Sequence, residues 1–391
     1  MTDIVAEELH DDTDDRFEDD EGQSAVAWEA LPPDRDFFAT PYEPPVKTLV
    51  AEIKDGELIV RDPTFQRYQV WDPRRKSKLI ESLLLNIPIP TLFFAEDENN
   101  KKVVVDGQQR LLAVKEFVEN RYPLSKLEVL TGLNDKRFDD LTERQQRIIR
   151  NRTLRCLLIS SRSDSEIRFQ VFERLNQGGV PLNAQEVRHC VYRGELNDLL
   201  HTLVKDPKWL QILHRTKANV RMTDCELILR FFAVRDALPD YKPPLKTLLN
   251  EYMRAHRHAA DDEQAAMITT FKSAVAAVET VFPDIAFRRY SQGEDGPEYD
   301  VAVNRAVFDI EMIAMEGIPL EWLAKNKYVV REAFEHLCIQ DAKFADCLNR
   351  ATADKSRLVY RLNRWAHTLV ALGADVPAMM RVPELSDDET V

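Results

Sequence analysis

Apolar residues recur along this chain at two spacings. Between Leu58 and Ser160 short β-branched runs alternate with stretches of helical period, whereas beyond Gly194 only the helical period persists. Lys47 to Val60 predicts a short helix, a turn at Asp55-Gly56 and an extended Leu58-Ile59-Val60. Asp72 before Pro73 is suited to cap a helix, and Ile80, Leu83, Leu84 and Ile87 then give it one buried face until Pro88 stops it. Thr91 to Ala95 and Lys101 to Asp106 read as two strands of a hairpin, joined by the polar run Glu96 to Asn100. A helix over Gln109 to Glu119 follows, with Leu112, Phe117 and Val118 inward, and Arg152 to Ser160 reads as another strand.

Ser163-Asp164-Ser165-Glu166 has the capping-box pattern and opens a helix with the stripe Ile167, Val171, Phe172, Leu175, ending in Asn176-Gln177-Gly178-Gly179. Asn183-Ala184-Gln185-Glu186 caps the next helix, which runs to about Arg193. In the second half the helical pattern is broken at Pro207, Pro243-Pro244, Pro283, Gly293 to Pro297, Pro319 and Pro377. Thr223-Asp224-Cys225-Glu226 predicts a further capping box, and residues 261–282 and 299–316 predict long amphipathic helices. The fold class expected is α+β, an α/β half followed by an all-α half.

Composition narrows the class of protein. In 391 residues, only 11 Gly accompany 44% hydrophobic and 31% charged side chains, which suits a helix-rich globular chain with two cores. Five cysteines without a C-x-x-C pair support neither a disulfide framework nor a zinc ribbon, so a reducing, cytoplasmic setting is expected. No apolar run reaches the roughly 20 residues that cross a bilayer, and no membrane partner is expected. The net charge of −14 is uneven: residues 1–24 hold eleven acids against Arg16, and the rest of the chain is only mildly acidic. That segment reads as a disordered acidic tail, and prolines from Pro32 to Pro45 make an extended lead-in.

The candidate chemistry lies at Asp106-Gly107-Gln108-Gln109-Arg110, between a strand and a helix. Unpaired N–H groups at a helix start, beside an arginine, suit a phosphate; the same pattern also fits an ordinary strand-to-helix turn with Arg110 on the surface. Arg144, Arg147, Arg150 and Arg155, among other arginines of 134–155, read either as a solvated helix face or as a duplex DNA contact. His256 and His258 are two apart, which places them on different helix faces and argues against a metal pair. His189 beside Cys190 reads as helix packing.

Three stretches taken together resemble a known family. Phe65-Gln66-Arg67 with Trp71, Leu79 to Pro90, and Asp106 to Arg110 are similar to the N-terminal domain of GmrSD-type restriction endonucleases, in the ParB/sulfiredoxin superfamily. Phe172 to Gly179 and Leu182 to Glu186 match that family's later motif in order and spacing, so the likeness covers about 45–220 closely. It extends more loosely through Asn304 to Ala314 and Thr352 to Arg361.

The resemblance implies a ParB-like nucleotide-binding domain over 25–194, an all-α domain over 195–380 and a flexible end at 381–391. It implies a nucleoside triphosphate with Mg2+ as cofactor, held by Phe65, Gln66, Arg67, Gly107, Arg110, Arg174, Asn176, Gly178 and Gly179. Asp106 would bind the metal or orient Arg110, and Gln108 or Gln109 would position an attacking water. Such a protein would be an NTP-binding, NTP-hydrolysing sensor of an anti-phage, restriction-type system. Many members carry an HNH-like nuclease half; no such half is read here, so an effector protein in trans is expected. Two alternatives stand beside it: a non-catalytic interaction module with a relic pocket, and a stand-alone ParB-like nuclease.

Overall fold

The computed structural model describes residues 36–60, 71–97, 99–175, 182–238, 241–293, 296–349 and 353–376. The chain divides into two compact units, with the division between Arg193 and Gly194.

The first unit is built on a five-stranded mixed sheet. Its elements are β1 (Ala39–Tyr42), α1 (Val46–Asp55), β2 (Leu58–Ile59), α2 (Pro73–Leu85), β3 (Leu92–Glu96), β4 (Lys102–Asp106), α3 (Gln108–Val118), α4 (Glu143–Asn151), β5 (Cys156–Ile159), α5 (Ser165–Leu175) and α6 (Ala184–Val191). Strand order is β1-β5-β3-β4-β2. The hairpin pair β3 and β4 is antiparallel, β5 runs parallel to β3, and β2 runs parallel to β4 at the edge. The lead-in expected to be merely extended includes β1, which pairs antiparallel with β5 from Ala39 opposite Ile159 to Tyr42 opposite Cys156.

Helix α2 starts as its sequence predicts, with the Asp72 carboxylate accepting the Arg75 N–H and Pro73 in the first turn. It ends earlier than expected. Asn86 takes the left-handed conformation (φ 60°) and closes the helix at Leu85, so Ile87, expected on the buried face, stands 51% exposed. Ile80 and Leu83 are fully buried and pack with Phe94, Val104, Phe117 and Phe138 in one core. Two polar side chains of α2 reach inward and hold the chain beyond α3. Glu81 accepts the N–H groups of Val129 (2.9 Å) and Leu130 (2.7 Å), and Ser77 Oγ accepts that of Ser125 (2.9 Å).

The cap of α5 also differs from expectation. Asp164, not Ser163, accepts the first helical N–H groups, from Glu166 and Ile167, while Ser163 Oγ accepts from the Phe38 N–H and donates to its carbonyl, tying down the approach to β1. Asn183 forms the box predicted for α6, its side chain on the Glu186 N–H and Glu186 on the Asn183 N–H.

The second unit contains α7 (Glu195–Leu203), α8 (Pro207–Ile212), α9 (Thr223–Ala237), α10 (Leu245–Ala255), α11 (Asp261–Val281), β6 (Tyr290–Gln292), β7 (Pro297–Tyr299), α12 (Arg305–Met315), α13 (Leu320–Gln340), α14 (Ala342–Asn349) and α15 (Lys355–Ala371). Where the helical pattern breaks, β6 and β7 pair antiparallel, with Tyr290 opposite Tyr299. Trp209 is buried against Phe271, Phe287 and Phe308. At the centre, Asp309 of α12 accepts two hydrogen bonds from Arg230 of α9 (both 2.7 Å) and one from Arg361 of α15 (2.6 Å), all three fully buried or nearly so.

The capping box expected at Thr223 does not form. Met222, left-handed at φ 57°, precedes α9, and Asp224 turns inward to accept the N–H groups of Asn219 (2.6 Å) and Cys225 (2.9 Å). Among the described residues no helix is long and apolar enough to cross a membrane.

Candidate functional site at the start of helix α3

Asp106 ends β4, Gly107 turns the chain, and Gln108 begins α3. The turn needs glycine on two counts. Its φ of 97° is in the left-handed region, and a Cβ there would lie 2.1 Å from Leu92 Cδ2 of the neighbouring strand. The ladder is irregular just before it, Asp106 facing Phe93 and Val104 facing Phe94, which leaves Val105 as an extra residue. Gly107 offers no side-chain cap, so the first N–H groups of α3 are left for another acceptor.

Arg110 bends back over this turn. Its Nη2 donates to Asp106 Oδ2 at 2.7 Å and its Nη1 donates to the Pro90 carbonyl. The arginine side chain is 13% exposed and the aspartate 36%, so the pair sits at the rim rather than in the core. Under it lies Cys156, whose thiol is pushed up to about 12, chiefly by burial, and stays protonated at neutral pH.

The two glutamines point elsewhere. Gln108 Nε2 donates to the Val60 carbonyl, and Gln109 Oε1 accepts the Trp71 N–H at 3.2 Å. The Arg75 guanidinium covers the Trp71 ring at 4.5 Å. Adjacent residues of one helix turn therefore hold Val60 and Trp71 to the same helix start. Where the resemblance implies that Gln108 or Gln109 positions a water, both amides are engaged with backbone; Val60, Pro90 and Leu92 act through backbone or packing and carry no side-chain chemistry that would mark them in the sequence.

Phe65, Gln66, Arg67, Asn176, Gly178 and Gly179 lie outside the described residues, as do the acidic tail and residues 381–391. Arg174 is exposed on the last turn of α5. Arg144, Arg147 and Arg150 are exposed at three-residue spacing on α4, with Arg150 also over the Phe138 ring, while Arg155 precedes β5 and lies 4.0 Å from Glu43. Among the described residues no three His, Cys, Asp or Glu converge as a metal cluster. His256 and His258 each face a carboxylate: His256 meets Glu263 and His258 meets Glu195.

A concavity of the first unit, about 640 Å³, runs along the β2 edge between the end of α1 and the flank of α3. Its rim carries Lys54, Lys101, Lys115, Arg121 and Arg193. No local sequence pattern groups these cations, because they come from separate elements.

Residues 46–193 match the family described as GmrSD restriction endonuclease, N-terminal domain. No curated protein matches the chain.

Proposed function

Residues 46–193 are a domain of the GmrSD restriction endonuclease N-terminal family, and from that premise we propose that the chain is the nucleotide-sensing component of a restriction-type defence system. The observation that carries this reading is the uncapped start of α3 with Arg110 folded over it between Asp106 and Pro90. Backbone N–H groups and a guanidinium at one point suit the terminal phosphates of a nucleoside triphosphate. Two hydrogen bonds use only part of the guanidinium's five donors, and the rest can fork onto phosphate oxygens.

Magnesium fits the donor set in the way it accompanies nucleotides, through one carboxylate with phosphate oxygens and water as the other ligands. Asp106 would be that carboxylate, since its Oδ2 is on Arg110 and its side chain is partly exposed. When bound, the ion would offset charge developing on the phosphates. The chain's own groups bind and orient: Arg110 neutralises, the α3 N–H groups fix the phosphate, and Gln108 and Gln109 keep Val60 and Trp71 at the site's edge. In this account Arg144, Arg147, Arg150 and Arg155 touch duplex DNA through phosphates, and a partner protein supplies the cutting chemistry.

The engagement of all the motif's polar side chains with the protein itself favours a second reading, a binding module without hydrolysis. Phosphate release measured with and without duplex DNA separates the two. The sensor reading expects a slow rate that DNA raises, because the loop supplies positioning and charge but no base held free for water. A fast rate indifferent to DNA would count against it, and binding without release would favour the module.

A further inference from the structure

The groove along β2 is a different place from the Arg110 turn. On α3, Gln108, Leu112, Lys115, Glu116 and Glu119 follow one another at helical spacing and share a face, while Arg110 lies about 200° around the axis from Gln108. Leu112, Lys115 and Glu116 line the groove. The two sites thus use opposite flanks of one helix, and among the described residues they meet at Val60, which lines the groove and accepts Gln108.

The groove's charge is strongly one-sided. Glu116 already holds Lys76 at 2.8 Å. Glu119, beside it, receives Lys115 at 2.9 Å, Arg121 at 2.8 Å and Lys54 at 3.9 Å. Burial works against ionisation of Glu119, yet these cations hold its carboxyl below its ordinary range. One carboxylate shared among three cations leaves an excess of positive charge, to which Lys101 adds. Beneath the rim lie Leu58, Val60 and Leu112, all buried. Cations around an apolar floor suit a ligand with phosphate at one end and a less polar body at the other. The volume is that of a nucleotide-sized ligand rather than of a single ion.

We propose that this groove is a phosphate-ester site, distinct from the α3 turn, that takes a ligand of nucleotide size: a free nucleotide or the 5′-phosphorylated end of a nucleic-acid strand. Phosphate is held by the lysines and Arg121, and the sugar lies against the β2 edge. Among the described residues no aromatic side chain lines the groove, and the proposed recognition is of the phosphate rather than by stacking on the base.

The test uses the full chain carrying Arg110→Ala, which removes the other candidate phosphate site. ATP and a 5′-phosphorylated tetradeoxynucleotide are titrated separately by calorimetry, with the 5′-hydroxyl tetranucleotide as control. Binding of either phosphorylated probe is expected, weakened about tenfold or more by Lys54→Glu with Lys101→Glu. Both lysines are exposed, and the milder pair Lys54→Gln with Lys101→Gln gives a smaller loss in the same direction should charge reversal disturb folding. Tighter binding of ATP identifies the free nucleotide as the ligand; tighter binding of the phosphorylated strand over its hydroxyl control identifies a strand end. Failure of both probes to bind, or affinity unchanged by the lysine substitutions in a folded chain, overturns the proposal. Neither result touches the Arg110 reading, which is tested in a chain with the groove intact.

Discussion

Gln109 accepts the backbone N–H of Trp71 through its side-chain oxygen, while its neighbour Gln108 donates through its side-chain nitrogen to the Val60 carbonyl. The two amides do opposite jobs, and conservative substitution separates them. Gln109→Glu keeps an acceptor for Trp71, so protection of the Trp71 amide in hydrogen exchange should survive. Gln108→Glu sets a carboxylate against a carbonyl and should cost about 1–3 kcal/mol. Urea denaturation of both variants checks the order, and equal losses would show that the glutamines do not anchor these two residues.

The buried triad of the second unit gives a larger effect. Asp309→Ala leaves Arg230 and Arg361 buried without their shared carboxylate and should destabilise the chain by about 3–5 kcal/mol. Replacing all three residues by apolar side chains of similar volume should cost much less. Denaturation midpoints of the single and triple variants measure the difference, and a mild Asp309→Ala would mean that water reaches the arginines.

Asp224 makes a pH prediction. Burial pushes its carboxyl up to about 6 from an ordinary 3.8, against the pull of the Asn219 and Cys225 N–H groups. As pH rises, the unfolded carboxyl ionises first and the folded one only near 6, so the folded state holds the extra proton in between. This group's contribution is therefore fully present below about pH 4 and is lost as pH climbs through 6, by about 3 kcal/mol. Asp224→Asn cannot ionise, so the stability of wild type relative to the variant should fall by that amount between pH 4 and pH 7. Parallel stability curves would show that Asp224 is not buried as described.

Much of this architecture is legible in the chain because its cues are local. Asp72-Pro73 announces α2, the polar run between Ala95 and Lys101 announces the hairpin, and Val103 to Arg110 announces the strand, turn and helix of the site. The misses come from distant partners or from competition for a side chain. β1 is a strand only because β5 arrives beside it far downstream. Thr223 does not cap α9, and Asp224 beside it turns inward onto two N–H groups. The strand, turn and helix around Asp106 to Arg110 are readable; what the two glutamines touch is not, since Val60 and Trp71 contribute only backbone.

The central claim is that the turn before α3 binds nucleotide through Arg110. Calorimetric titration of the full chain and of Arg110→Ala with magnesium and each of ATP and GTP tests it directly. The pair with Asp106 is at the rim, so its loss should change stability by only about 1 kcal/mol or less. A lost phosphate contact is worth about 1.5–3 kcal/mol. The account predicts binding by the native chain and a loss of more than tenfold at the tighter site in Arg110→Ala. Equal affinity in the two proteins, or no heat with either nucleotide, would contradict it.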